Sequence, residues 1–297
     1  MWSAAPTPFI AKLEIDVKSV RRMVAHHIRL GVKGLFLAGT NGEGPWMTES
    51  QRRLLVRTVA HCARKRLPLA VQVTDNSAAR ILDNIKMAAE DGADIAVIAP
   101  PYFPPRKDPD VLLKLYLDSI AHSCLPIGIY DRPMIGGGVV PDAVMKVVLA
   151  EKKVIMLKDS SANADRMKHA LAAKRRRPAL LLLNGWEFNG IPYLKAGYDG
   201  LLLGGGVFNG YLAGQIVAAA AAGEWERAKR LQLRMNRMMW GVYGGKKIAC
   251  WLSGEKYLLV RMGLFRTWKN YPGYPLTSSC QEAIRRILKS DRQYLFP

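Results

Sequence analysis

Short apolar runs alternate with amphipathic stretches along the chain. Residues 34–38, 69–73, 95–99, 127–130, 154–157, 180–183 and 201–203 are apolar on both faces, as parallel strands covered by helices must be. A further short strand near residues 4–9 makes eight. The stretches between them carry helix signals. Asp16 precedes Val17, Val20, Val24 and Ile28 at helical spacing, and Gly31 closes that segment. Thr48-Glu49-Ser50-Gln51 reads as a capping box ahead of Leu54, Leu55 and Val59. Residues 77–90 and 108–123 follow the same plan, and Pro141 suits a first helical turn.

Eight strand–helix units in succession predict a closed parallel barrel or a doubly wound sheet. The even recurrence to about residue 203 favours an α/β fold of the (β/α)8 TIM-barrel type. From Tyr211 onward the rhythm stops. Helical stretches meet at Ala222-Gly223-Glu224, a third spans residues 247–262 and a last one residues 278–289. The expected organisation is a catalytic barrel over residues 1–222 and a C-terminal helical region over residues 223–297.

Composition narrows the classes. Of 297 residues, 49% are apolar and 23% charged, which excludes a disordered or fibrous chain. No uncharged apolar run reaches the length of a bilayer span, and the start lacks the basic-then-apolar pattern of a signal peptide. Four scattered cysteines, with no CxxC pair, point to reduced thiols rather than a disulfide framework or zinc site. The expected setting is cytoplasmic. The formal charge of +20 would suit nucleic acid, an acidic membrane or an anionic small substrate. However, its basic clusters are dispersed, mostly where helices end, and no nucleic-acid motif accompanies them. A generally basic surface is the simplest reading, with steering of an acidic substrate as the alternative.

Barrel chemistry sits at the C-terminal ends of the strands. Lys158 closes the run from Val154, on one face with Val154 and Met156. An ammonium entering a partly apolar cavity has a lowered pKa and becomes a usable amine nucleophile; a snorkelling lysine, or one paired to Asp159, would look the same in sequence. Tyr130 ends the run 127–130, and Gly128, two residues back, would leave space under its ring. The phenol could relay a proton or plug the core. Gly39-Thr40-Asn41-Gly42-Glu43-Gly44 follows a strand and precedes a capped helix. Its glycines would let backbone N–H groups converge on an anion, with Thr40 and Asn41 adding side-chain donors. It is neither a P-loop nor a dinucleotide fingerprint, so a carboxylate suits it better. The five histidines lie on helices, and none reads as a metal ligand.

Together with Pro101-Tyr102-Phe103, Tyr130-Asp131-Arg132-Pro133 and Lys158-Asp159-Ser160-Ser161, these segments give the chain its resemblance to a known family. It resembles the dihydrodipicolinate synthase/N-acetylneuraminate lyase family of Schiff-base aldolases, from Pro6 to the C-terminal helices. The resemblance implies a Schiff-base role for Lys158 and a catalytic one for Tyr130. It places Thr40 and Asn41 at the keto-acid carboxylate, with the backbone near Leu202 closing that site. Asn184-Gly185-Trp186-Glu187 is similar to the segment with which sialate lyases and sugar-acid aldolases hold substrate hydroxyls, which makes Glu187 a candidate hydroxyl acceptor. A surface carboxylate starting a helix is the alternative.

The departures bear on substrate. Asn41 stands where the family loop has its second Thr, and Phe103 where a tyrosine meets a neighbouring subunit. Ile135 stands where dihydrodipicolinate synthases carry an arginine for the second substrate. The resemblance therefore implies a class I lyase for a 2-oxo acid, hydroxylated or sugar-derived, with pyruvate as product or donor. It implies a homodimer or homotetramer, and neither a metal nor an organic cofactor. Dihydrodipicolinate synthase, a keto-deoxy sugar acid dehydratase and a non-catalytic keto-acid binder are the alternatives.

Overall fold

The computed structural model describes residues 1–103, 108–132 and 140–297. Eight strands run in the order β1-β2-β3-β4-β5-β6-β7-β8 as a closed barrel. They are β1 (Trp2–Ala4), β2 (Leu35–Leu37), β3 (Leu69–Gln72), β4 (Ile95–Ile98), β5 (Ile127–Asp131), β6 (Val154–Asp159), β7 (Leu181–Asn184) and β8 (Gly200–Leu203). The seven runs from residue 34 onward are strands where the pattern puts them. The first is a correction: β1 ends at Ala4 and does not extend to residue 9. Pro6 and Pro8 have no N–H to donate to a ladder, and Phe9 instead forms an isolated antiparallel bridge with Ile15.

Helices alternate with the strands: α1 (Val17–Arg29), α2 (Glu49–Ala63), α3 (Ala78–Glu90), α4 (Pro109–His122), α5 (Asp142–Ala150), α6 (Ala164–Arg176), α7 (Ile191–Ala196) and α8 (Gly206–Ala221). The start signals act as read. Asp16 accepts from the Ser19 N–H, and Thr48 and Gln51 close a reciprocal capping box. Pro141 stands one position earlier than expected, at the cap of α5. The C-terminal region holds α9 (Trp225–Val242), α10 (Trp251–Arg261), α11 (Ser278–Ser290) and the short α12 (Arg292–Leu295). Among the described residues, no helix is long and apolar enough to cross a membrane.

The chain divides into two compact units, residues 1–67 with 203–297, and residues 68–202. In the first, α1 packs on α2, α8 on α9, and α11 on α9 and α10. Its core includes Val20, Met23, Leu35, Phe208, Leu212, Met235 and Leu258, all essentially inaccessible. In the second, α3, α4, α5 and α6 pack in sequence order.

Two histidines inside the first unit make its stability pH-dependent. His27 Nδ1–H donates to Met23 O at 3.0 Å, which leaves Nε2 to accept from the Ser3 hydroxyl at 2.9 Å. His26 Nε2–H donates to Val207 O at 3.0 Å. Burial disfavours the imidazolium and lowers the pKa to about 4 for His26 and about 3 for His27, against 6.5 ordinarily. A histidine with a lowered native pKa takes up its proton more readily in the unfolded chain. The stability it contributes is therefore complete above pH 6.5 and is lost as pH falls toward the native value. Between pH 7 and 5, His27 alone should remove about 2 kcal/mol. Chemical denaturation of the wild type and His27→Gln at both pH values checks this. The variant should lose about 2 kcal/mol less on acidification; equal losses would contradict a buried neutral His27.

Candidate active site

Parallel register between β5 and β6 sets Tyr130 opposite Lys158 and Asp131 opposite Asp159. Alternation then sends the first pair to one face of the sheet and the second pair to the other. Lys158 is buried, with Nζ 4.1 Å from the centroid of the Tyr130 ring, and hydrogen-bonds to that side chain. Burial pulls the ammonium pKa below its ordinary value, and Arg132 adds to this. Tyr130 and Glu187 oppose it by favouring the charged form. The balance is a lysine more easily found as a free amine than a solvent-exposed one. That is the electrostatic requirement for attack on a carbonyl carbon.

Beside Lys158 runs the end of β7. Gly185 N–H donates to Asp159 O at 2.7 Å. A Cβ at Gly185 would come within 2.1 Å of Ser160 Oγ and 3.0 Å of Lys158 Cε, so only glycine leaves the lysine stem its place. The Asn184 side chain, buried, exchanges hydrogen bonds with the Trp186 backbone. This turn leads into a single 3-10 turn at Glu187–Asn189 that carries half-buried Glu187. Gly128 does not leave space under the Tyr130 ring as expected. A Cβ there would lie 2.8 Å from Met156 Cε and 3.2 Å from Val97; the room belongs to the Met156 thioether.

Asp131 and Asp159, on the far face, are both buried. Asp159 accepts from the Ser161 N–H and hydroxyl and from the Tyr198 hydroxyl at 2.7 Å. Asp131 pairs with buried Arg166 of α6, Nε to Oδ2 2.6 Å. In the same unit, Phe103 is 79% exposed, its N–H donating to Asn76 Oδ1 at 2.9 Å. Leu202 is fully buried on β8. Ile135 and Pro133 lie outside the described residues.

In the first unit, the loop after β2 is tightly folded. Ala38 and Glu43 have φ of +53° and +59°, and a Cβ on Gly44 would lie 1.8 Å from Ala38 O. Thr40 is half-exposed and Asn41 buried. The Asn41 amide is directed at the protein itself: Nδ2 donates to Ala4 O, Gly204 O and Glu255 Oε1 at 3.0, 3.1 and 3.2 Å. Glu43 forms a fully buried ion pair with Lys256 of α10 and accepts the Tyr271 N–H at 2.7 Å. Lys256 also donates to Lys269 O at 2.9 Å and sits 4.4 Å from the Phe9 ring centroid. Sequence reasoning missed Glu255, Lys256 and Arg166. For the first two, a signal was available: two charges inside the apolar run of α10, which leaves no polar face for them.

A protein-family model, "Dihydrodipicolinate synthetase family", matches residues 1–291. The chain belongs to this family. A 4-hydroxy-tetrahydrodipicolinate synthase of Anaeromyxobacter sp. (strain Fw109-5) is 28% identical over 231 residues, covering 76% of this chain and 77% of that one. The corresponding synthase of Thermotoga petrophila is 24% identical, covering 97% and 96%. Solved structures with the same fold include dihydrodipicolinate synthase from Thermotoga maritima (TM-score 0.88, 23% identity, 99% and 98% covered). N-acetylneuraminate lyase from Fusobacterium nucleatum, complexed with pyruvate, is another (TM-score 0.86, 18% identity, 97% and 95% covered). As a member of this family, the protein is a carbon–carbon lyase.

Proposed function

We propose that the protein cleaves or forms the C3–C4 bond of a hydroxylated or sugar-derived 2-oxo acid, with pyruvate as product or donor. The observation that carries this reading is the buried, pKa-lowered Lys158 amine hydrogen-bonded to Tyr130. In the cleavage direction, the neutral amine adds to the C2 ketone and Tyr130 gives its phenolic proton to the departing water, leaving a protonated imine and a Tyr130 phenolate. As the C3–C4 bond breaks, its electron pair moves into the imine to give an enamine. The C4 hydroxyl proton passes to Tyr130, and the aldehyde departs. Protonation at C3 and hydrolysis release pyruvate and restore the lysine.

Thr40 and Asn41 are assigned to the substrate carboxylate. Because the Asn41 amide is already engaged, its share in this falls to the loop backbone. The backbone at Leu202 would close that site, and Glu187, placed to influence Lys158 electrostatically, would accept a distal hydroxyl. The residue range 1–222 is taken as the catalytic barrel. A cytoplasmic setting suits the four cysteines, none of which is in a disulfide.

A second reading, 4-hydroxy-tetrahydrodipicolinate synthase, is favoured by the names of the sequence relatives. Ile135, Phe103 and Asn41 weigh against it, since a charged second substrate finds no arginine at residue 135. A panel of 4-hydroxy-2-oxo acids, with pyruvate plus aspartate semialdehyde as one arm, separates the two. The expected result is release of pyruvate from at least one hydroxylated acid and negligible condensation with the semialdehyde. Efficient condensation would overturn the substrate assignment.

Phe103 supports a homo-oligomer. An aromatic ring left 79% exposed gains roughly 1.5–3 kcal/mol if a second subunit covers it. The opposing charge of +20 per chain is screened beyond about 8 Å at physiological salt. Sedimentation at micromolar concentration should therefore show a species larger than the 33.0 kDa chain, and Phe103→Ser should weaken it. A monomer at all concentrations would contradict this.

A further inference from the structure

The strands that carry Tyr130 and Lys158 each place a buried carboxylate one residue later, on the opposite face. Register puts Asp131 directly across from Asp159, so two acids face α-helices from neighbouring strands about 4.8 Å apart. Two ionised carboxylates on adjacent strands repel where water is excluded, and Asp159 pushes Asp131 toward its protonated form. Asp159 is held by neutral donors, Ser161 and Tyr198. Asp131 depends on Arg166. The Arg166 guanidinium, itself 1% exposed, forks three ways: Nε to Asp131, Nη1 to Asp142 Oδ1 at 3.2 Å, and Nη2 to Val140 O. Its own backbone N–H is fixed by the Asn163 cap of α6 at 3.1 Å. One side chain thus ties the end of β5 to the starts of α5 and α6.

We propose that Arg166 is a positioning residue for the reaction centre: by holding Asp131, it fixes the end of β5 and thereby the Tyr130 side chain against Lys158. The inference rests on the Schiff-base reading of Lys158. Tyr130 and Asp131 share one peptide unit, so a displacement of one carboxylate is transmitted to the phenol with no intervening rotatable side chain. The charges around Asp131 make Arg166 hard to replace. Besides Arg166 from α6, Asp131 faces Asp159 of β6, Asp142 of α5, Tyr116 of α4, Tyr193 of α7 and Tyr198 just beyond it. Among the described residues that act on Asp131, Arg166 is the one cation. Even so, the Asp131 pKa rises to about 6: burial raises it most, Arg166 opposes this, and Asp159 and Asp142 add to it. Without the guanidinium, Asp131 must either move toward other donors or take up a proton.

The test is the rate at which pyruvate and cyanoborohydride add a stable mass to the intact protein between pH 5.5 and 9. In Arg166→Met, the limiting rate at pH 8 should fall at least about tenfold. The pyruvate concentration for half-maximal rate should stay within about twofold, because pyruvate binding is not the step disturbed. Relative to wild type, the deficit should shrink toward low pH as Asp131 becomes protonated. Arg166→Met/Asp131→Asn, which removes the unpaired charge, should recover to within about threefold of wild type at pH 8. A pH-independent deficit, a deficit confined to half-saturation, or no recovery in the double variant would overturn the proposal. If Arg166→Met does not fold, Arg166→Lys decides. An ammonium cannot reproduce the fork, so a loss of at least about threefold supports positioning, and a wild-type rate contradicts it. Absence of any adduct on wild-type Lys158 would instead sink the underlying Schiff-base reading, and the inference with it.

Discussion

In deuterated buffer, the protein should exchange the methyl protons of pyruvate for deuterium, and Lys158→Ala should bring that exchange to the uncatalysed rate. The expectation follows from the iminium, which acidifies C3 and passes reversibly to the enamine whatever the second substrate is. Removing the group that forms the covalent bond should cost on the order of 10⁴-fold or more. Tyr130→Phe should slow exchange less than Lys158→Ala, because it leaves the nucleophile in place and removes a proton relay, an effect typically of about 10²–10⁴-fold. Proton NMR of the pyruvate methyl signal reads both. Undiminished exchange by Lys158→Ala would show that another residue carries the chemistry.

Lys256→Met should destabilise the protein strongly, by about 3–5 kcal/mol. The Lys256–Glu43 pair is inaccessible to solvent on both sides. Burial shifts both members toward neutrality, raising Glu43 and lowering Lys256, and their mutual attraction does not fully offset it. The pair therefore contributes little net stability over an apolar equivalent. Removing one partner, however, leaves a desolvated carboxylate with the Tyr271 N–H as its remaining donor among the described residues. Lys256 also fastens α10 to Lys269 O, so the segment after α10 loosens with it. The thermal midpoint should fall by at least about 6 °C. Lys256→Met/Glu43→Gln should regain most of the loss, because the amide can keep the Tyr271 hydrogen bond without a charge. A single variant as stable as wild type would show that Glu43 has another partner.

The legibility of each element in the sequence depended on the physical signal its residues left. Strands such as 34–38 and 154–157 are apolar on both faces because helices cover them, whereas a strand with one face in water would alternate with polar residues. Residues 4–9 are apolar too, but Pro6 and Pro8 break the ladder. Lys158 and Tyr130 were legible because a polar group ending an apolar strand is unusual. Their juxtaposition was not, because it is set by the register of β5 and β6. Asp131, Arg166 and Glu43 look like ordinary surface charges in a chain this basic. Their burial depends on partners 35 and 213 positions away, a separation that no local pattern records. The same applies to Asn41, whose donors are consumed by Ala4, Gly204 and Glu255. The space at Gly128 was misassigned because the neighbouring strand, not its own, fills it.

In the proposed reaction, everything depends on Lys158 forming a covalent imine with the ketone of a 2-oxo acid. The most direct measurement is reduction of the protein with borohydride in the presence of pyruvate, followed by intact-mass analysis and peptide mapping. One reduced pyruvate should be added per chain, on the peptide containing Lys158, and none should be added to Lys158→Ala. A reduced adduct on any other lysine, or an unmodified wild-type chain at saturating pyruvate, would contradict the account.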